Sequence, residues 1–215
     1  MNIIKVLLAD DHDLVRVGIK RLLEEAQDIR VIAEASTGRE ALTKAKEYMP
    51  DVVILDISMP GMDGIDTCKQ IKELYPGIKI LILTIHNENL FGVRLLNAGA
   101  LGYITKKVSA GELQKAVRSV SIGKLYLSES SKDQILYQLL RHKGSADPLS
   151  TLSDREVQVF YYLAQGKKIK EIASEIGIST KTAENYRSHI LDKLNLRRTV
   201  DIVAFAHRNN LIQSI

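Results

Sequence analysis

Cysteine is almost missing from this chain: Cys68 is the only one in 215 residues. One thiol allows no internal disulfide, which sets aside the small cross-linked scaffolds and suits a reducing compartment. Long apolar runs are missing too, and nothing approaches the length of a membrane span. The opening MNIIKVLLADD turns acidic too soon for a secretory signal. A cytoplasmic protein without a membrane partner is expected. No internal repeat is evident. A strong charge of one sign is also lacking, since the formal net charge is only +4. That small excess is uneven. Residues 1–122 hold 16 Lys+Arg against 16 Asp+Glu, residues 123–148 hold 4 against 3, and residues 149–215 hold 10 against 7. The basic surplus is mostly C-terminal, which suggests a nucleic-acid-facing domain there.

What is present is ordinary globular material, 45% hydrophobic and 26% charged, long enough for two domains. The first part alternates short apolar runs with helical patterns. The runs are Ile3–Ala9, Val31–Ala35, Val52–Leu55, Ile78–Thr84 and Leu101–Thr105. Several are apolar throughout, as strands covered on both faces should be. Between them Leu14, Val15, Ile19, Leu22 and Leu23 recur at helical spacing, as do Leu113, Ala116, Val117 and Val120. The pattern predicts an α/β domain over 1–122, a doubly wound parallel sheet of five strands. Residues 123–148 read as a linker in which Ile135, Leu136, Leu139 and Leu140 give one apolar helical face. Residues 149–215 show no strand pattern and predict a small all-α domain. Ser153 and Glu156 have capping-box spacing. A helix over about 169–176 ends at Gly177, and Ser179 caps another that runs to about Leu194. That pair matches a helix-turn-helix. A last helix covers about 200–209.

Function in an open parallel sheet gathers at the carboxyl ends of the strands. Those ends carry Asp10 and Asp11, Asp56, Thr84 and, just beyond, Lys106. Converging carboxylates repel unless a cation joins them, and hard oxygen ligands suit Mg²⁺. With its charge shielded, Asp56 can attack phosphorus as a nucleophile and form an aspartyl phosphate. Lys106 would neutralise the phosphoryl oxygens and the Thr84 hydroxyl would bond one of them.

On Asp10–Asp11, Asp56 followed by MPGMDG, Thr84 and Lys106, residues 1–122 resemble a receiver domain of two-component signalling. The resemblance implies that Asp56 accepts phosphate from a sensor histidine kinase. It implies Mg²⁺ ligands at Asp11 and Asp56, at Asp10 directly or through water, and at the Ser58 carbonyl. Tyr103 stands at the place of the switch aromatic. Where many receivers have proline after the lysine, this chain has Lys107. Ser58 and His86 occupy positions that tune phosphate lifetime within the family, and the lifetime stays open.

Leu152–Leu196 resembles a LuxR-type helix-turn-helix, anchored by Leu152, Arg155–Glu156, Gly166, Lys170–Glu171–Ile172–Ala173, Ile178–Ser179, Thr182, Ile190 and Lys193–Leu194. The two motif sets together resemble the NarL/FixJ class of response regulators, and more finely the GacA/UvrY/LetA type. That finer likeness implies targets among small RNAs that relieve a translational repressor. A recognition helix offers its N-terminal residues to the major groove. With Ala183, Tyr186 and Ile190 inward, Lys181, Glu184, Asn185 and Ser188 face outward, beside Thr182. Asn185 suits adenine, and Glu184 can accept from cytosine. Arg187, Lys193, Arg197 and Arg198 are placed to meet phosphates, or for the last two a solvated face. Glu184 stands where the family often has lysine, Ala183 where it often has valine, and Tyr186 where it often has histidine. The expected function is a transcription factor whose dimerisation and promoter DNA binding are switched by phosphorylation of Asp56, and not an enzyme. One alternative is a transcription factor that never uses phosphate. The other is a Mg²⁺-dependent phosphohydrolase, which would need a second acid where Ser58 stands.

Overall fold

The computed structural model describes residues 3–59, 61–62, 64–84, 92–106, 108–128, 148–209 and 211–212. His86, Lys107 and the apolar face from Ile135 to Leu140 lie outside the described residues. The chain divides into two compact units between Asp133 and Gln134.

The first unit contains β1 (Ile4–Ala9), α1 (Asp13–Glu24), β2 (Ile29–Ala35), α2 (Gly38–Tyr48), β3 (Val52–Asp56), α3 (Gly64–Leu74), β4 (Lys79–Thr84), α4 (Gly92–Asn97), β5 (Gly102–Thr105), α5 (Ala110–Ser121) and β6 (Tyr126–Leu127). Every strand pair is parallel, in the order β2-β1-β3-β4-β5-β6. The unbroken apolar runs are explained by burial on both faces: Val6 to Leu8 and Val52 to Leu55 are all 0% exposed. Alternate side chains choose opposite faces. Val6, Leu8, Ile54, Leu81, Leu83 and Ile104 pack with Ile19 and Leu23 of α1 and with Leu113, Ala116, Val117 and Val120 of α5. The order steps from β1 to β2 on one side and from β1 to β3 on the other, so the crevice opens beyond the carboxyl ends of β1 and β3.

Five strands were expected and six are present. The sixth has two residues, both half-buried, and lies past residue 122. Gly102 makes the pairing possible: a Cβ there would come within 2.6 Å of the Tyr126 carbonyl oxygen. Two residues are too few for a strand period to show in a sequence.

The second unit consists, among the described residues, of α6 (Asp154–Ala164), α7 (Ile169–Glu175), α8 (Thr180–Lys193) and α9 (Thr199–Arg208). The Ser153–Glu156 capping box is formed: Ser153 Oγ accepts from the Glu156 amide at 3.3 Å and Glu156 Oε2 accepts from the Ser153 amide at 2.7 Å. Gly177, with φ 64°, turns the chain after α7. Ser179 Oγ caps α8 by accepting from the Thr182 amide at 3.0 Å. Phe160 of α6 meets Phe205 of α9 edge to face at 6.0 Å. No helix among the described residues is long and apolar enough to cross a membrane.

Candidate functional site

β1 and β3 are neighbours, so their last residues must share the crevice. Asp10 is 0% exposed and Asp56 1% exposed. Two buried carboxylates this close are tolerable only with a cation between them. Lys106 supplies it from the end of β5, with Nζ 2.6 Å from Asp10 Oδ2 and 2.8 Å from Asp56 Oδ2. The Lys106 amide also donates to the Thr84 carbonyl at 2.8 Å, which locks the ends of β4 and β5 together. Burial pushes the Asp56 carboxyl up; Lys106 pulls it back and Asp10 adds to the rise. Burial also works against the Lys106 charge, but Asp56 and Asp10 outweigh it and hold the ammonium above its ordinary range.

The turn after β3 is built closely against the site. The Ser58 amide donates to Asp56 Oδ1 at 3.3 Å, and the Gly64 amide donates to the Ile57 carbonyl at 3.1 Å. A Cβ on Gly64 would stand 2.4 Å from the Asp56 carbonyl oxygen, so α3 can start there only with glycine. Ser58, Thr84 and Tyr103 are all buried. The Tyr103 hydroxyl is buried without a hydrogen-bond partner. The ring, at the place of the switch aromatic, is packed inward.

The carboxylates outnumber the lysine. Asp10 Oδ2 and Asp11 Oδ1 are buried oxygens with no hydrogen bond; Lys106 approaches the first as a charge, off the bonding direction. Asp10, Asp11, His12 and Asp56 each offer one ligand atom within 4.8 Å of the others. A hard divalent cation fits such a donor set. The sequence reading has the three aspartates but misses His12. The only signal for it was an imidazole directly after two acids.

The second unit presents a different surface. On α8, Lys181, Glu184, Asn185 and Ser188 are exposed and Ala183 and Ile190 are buried, as the helical spacing predicts. Ser188 Oγ donates back to the Glu184 carbonyl at 3.1 Å, and the Thr182 hydroxyl lies 2.8 Å from Ser179 Oγ. Arg187 is half-buried, with Nε buried and unbonded. Lys193 is expected at a phosphate but is found elsewhere: its Nζ donates to both oxygens of Glu156, at 2.9 and 2.7 Å. The physical reason is that Glu156 is 3% exposed and needs a cation. His189 Nδ1 stands 3.7 Å from the same carboxylate. Arg198 turns to Asp201 at 3.3 Å. Lys168 and Lys170, at the start of α7, are exposed and were not singled out beforehand as phosphate contacts.

Comparison with known proteins bears on both units. Residues 6–118 match the family model of the response regulator receiver domain, and residues 150–206 match that of bacterial regulatory proteins of the luxR family. The response regulator UvrY of Escherichia coli (strain K12) is 36% identical over 208 residues, 97% of this chain and 95% of that protein. The response regulator GacA of Pseudomonas aeruginosa is 35% identical over 211 residues, 98% and 99% of the two chains. Among solved structures, RcsB from Salmonella enterica serovar Typhimurium, bound to promoter rprA with the phosphomimetic BeF3-, aligns with a TM-score of 0.64 at 26% identity, covering 95% of this chain and 98% of that one. The response regulator ChrA of a heme-sensing two-component system aligns with a TM-score of 0.54 at 31% identity, covering 99% and 100%.

Proposed function

The chain belongs to the two-component response regulators that join a receiver domain to a LuxR-type DNA-binding domain, and from that premise we propose that Asp56 is the phosphoryl acceptor that switches promoter binding. The observation that carries this reading is the Lys106 ammonium shared by Asp10 and Asp56 at 2.6 and 2.8 Å. Among the described residues one cation faces three carboxylates, so the pocket keeps an acid free to react.

A sensor histidine kinase is the expected donor. An Asp56 carboxylate oxygen attacks phosphorus, a P–O bond forms as the donor's P–N bond breaks, and the imidazole leaves with the electron pair. The Ser58 amide steadies Asp56 from the side of Oδ1. Lys106 needs only a small shift to move from Asp56 Oδ2 to the phosphoryl oxygens, where it offsets developing charge. The Thr84 hydroxyl takes another of those oxygens. Asp10, Asp11 and Asp56, with the Ser58 carbonyl, are the residues that would hold Mg²⁺. The ion would screen the carboxylates and the incoming phosphoryl charge from each other.

The buried Tyr103 ring then has a simple part. A phosphoryl group bonded by Thr84 favours the packing already present around Tyr103, and the two-state element it biases is the face that contains β5. Phosphorylated chains pair, and paired DNA-binding units read two half-sites of dyad symmetry. Asn185, Lys181, Glu184 and Ser188 face the bases, with Thr182 and Arg187 beside them at the backbone. A phosphohydrolase would need a second acid to work on a leaving group, and Ser58 stands at that position. The division of the chain into a receiver over 1–122, a linker over 123–148 and a DNA-binding domain over 149–215 belongs to this reading, with β6 carrying the receiver's sheet a few residues further.

The test is acetyl-phosphate-stimulated promoter binding by the wild type and by Asp56→Asn. The variant should show no stimulation. Equal stimulation in both would overturn the gating by Asp56.

A further inference from the structure

His12 follows the acidic pair and begins the turn into α1. Its backbone amide donates to Asp10 Oδ1 at 2.9 Å. Its side-chain Nδ1 stands 2.9 Å from Asp11 Oδ1 and 3.4 Å from Asp10 Oδ1. An ordinary surface ion pair would explain these distances if the ring N–H pointed at a carboxylate. It does not: Asp11 Oδ1 is buried and has no hydrogen bond. The nitrogen and the oxygen lie side by side at 2.9 Å without a hydrogen bond between them. Lys106 pairs with the Oδ2 atoms of Asp10 and Asp56, while Asp10 Oδ1 accepts the His12 amide and Asp56 Oδ1 the Ser58 amide, so Asp11 Oδ1 is the unbonded oxygen beside Nδ1.

The spacing is that of ligands on one ion. Bonds of about 2.1 Å place neighbouring ligands about 3.0 Å apart in an octahedron and about 3.4 Å apart in a tetrahedron. The 2.9 Å from Nδ1 to Asp11 Oδ1 matches an octahedral edge, and one ligand atom from each of Asp10, Asp11, His12 and Asp56 lies within 4.8 Å of the others. The ring is 59% exposed, so the tautomer that frees Nδ1 and carries the proton on Nε2 meets solvent. Imidazole is a poor partner for Mg²⁺ and a good one for borderline transition ions.

We propose that His12 is a metal-selecting residue of the acidic pocket, an imidazole that lets Zn²⁺ compete with Mg²⁺ there through one nitrogen and the neighbouring carboxylates. The inference rests on the reading of this pocket as the Mg²⁺-assisted phosphoryl acceptor. It adds a second property: the identity of the bound divalent ion is set partly by a side chain outside the carboxylate set. Zn²⁺ seated in this way closes its coordination with protein ligands, whereas Mg²⁺ retains waters that a phosphoryl oxygen can replace.

The experiment is calorimetric titration of the full-length chain with Mg²⁺, and with Zn²⁺ in the presence and absence of saturating Mg²⁺. Only the Zn²⁺ that Mg²⁺ displaces is counted, which removes the other histidines. In His12→Asn that Zn²⁺ should bind about tenfold more weakly or worse, with Mg²⁺ affinity changed by less than about twofold. An unchanged ratio of Zn²⁺ to Mg²⁺ affinity, or an equal loss of both, overturns the role of His12. Asp11→Asn separates this from the reading beneath it. If Mg²⁺ binding is undiminished in Asp11→Asn, the acidic pocket itself is misplaced, whatever His12 does.

Discussion

Each unit of this chain contains a lysine on a buried carboxylate, and the two pairs differ in balance. In the second unit Glu156 is one acid with a full set of partners: Lys193 on both oxygens and the Ser153 amide on one of them. Burial would raise the Glu156 carboxyl, but Lys193 and Ser153 together hold it below its ordinary range. In the first unit Asp10 and Asp56 share Lys106 as their one cation among the described residues, Asp11 Oδ1 is buried without a hydrogen bond, and Asp56 is pushed up. A satisfied pair holds helices together. An unsatisfied one is open to a further cation and, in the function proposed above, to a phosphoryl group. The residue types alone do not distinguish these cases; the count of partners does.

The comparison breaks most easily at the lysines. Lys106→Met leaves two buried carboxylates facing each other and should destabilise the receiver by about 3–5 kcal/mol without added cation. Denaturant unfolding at neutral pH measures it, and Mg²⁺ should recover part of the loss, because the site prefers any cation to none. A loss below about 1 kcal/mol would mean that Lys106 does not hold the cluster.

The DNA-facing side should give the next effect. Asn185 is exposed on α8. Asn185→Ala should cost about 1–3 kcal/mol at one base position and relax the preference there. Binding assays on a set of singly substituted operators decide it; equal loss on every sequence would make Asn185 a backbone contact.

Acid should separate the two carboxylates by sign. Glu156 has a lowered folded pKa, so its stabilisation is present above the ordinary value near 4.5 and is lost as pH falls through that range. Glu156→Gln should therefore destabilise the second unit by about 1–2 kcal/mol at pH 7 and by little in strong acid. Asp56 has a raised folded pKa, so its charge opposes folding above its ordinary value near 3.8. Asp56→Asn should stabilise the receiver at pH 7, with the gain shrinking as pH falls. Unfolding curves of the two variants against pH should have opposite signs; the same sign for both would erase the distinction drawn between them.

Much of this was legible in the sequence, for reasons that particular residues make plain. Val52 to Leu55 announce a strand because burial on both faces leaves no polar position. Asp56 stands out because such a strand ends on a charge, and Asp10, Thr84 and Lys106 could be gathered because parallel strands present their carboxyl ends together. β6 was not legible, since its pairing depends on the missing Cβ of Gly102 rather than on any pattern of its own. Lys193 looked like a phosphate contact because its partner is 37 residues away. His12 was passed over for the opposite reason: its neighbours in sequence already accounted for an acidic cluster.

The smallest expected effect is the one that tests the corrected place of Lys193. A lysine that neutralises a phosphate releases a counterion, so its removal reduces the salt slope of DNA binding by about 1. Lys193 already spends its charge on Glu156, at 2.7 and 2.9 Å, and exchanging that carboxylate for a phosphate would strand a buried acid. Lys193→Met should therefore weaken binding through the seating of α8 while leaving the slope of log K against log salt unchanged. Arg187, half-buried on the same helix with one guanidinium nitrogen unbonded, provides the contrast, and Arg187→Met should lower the slope by about 1. The two slopes, measured on one operator across the same salt range, place each cation on the protein side or the DNA side of α8. A drop of about 1 for Lys193→Met would return that lysine to the DNA and leave Glu156 beside His189, whose Nδ1 stands 3.7 Å from it.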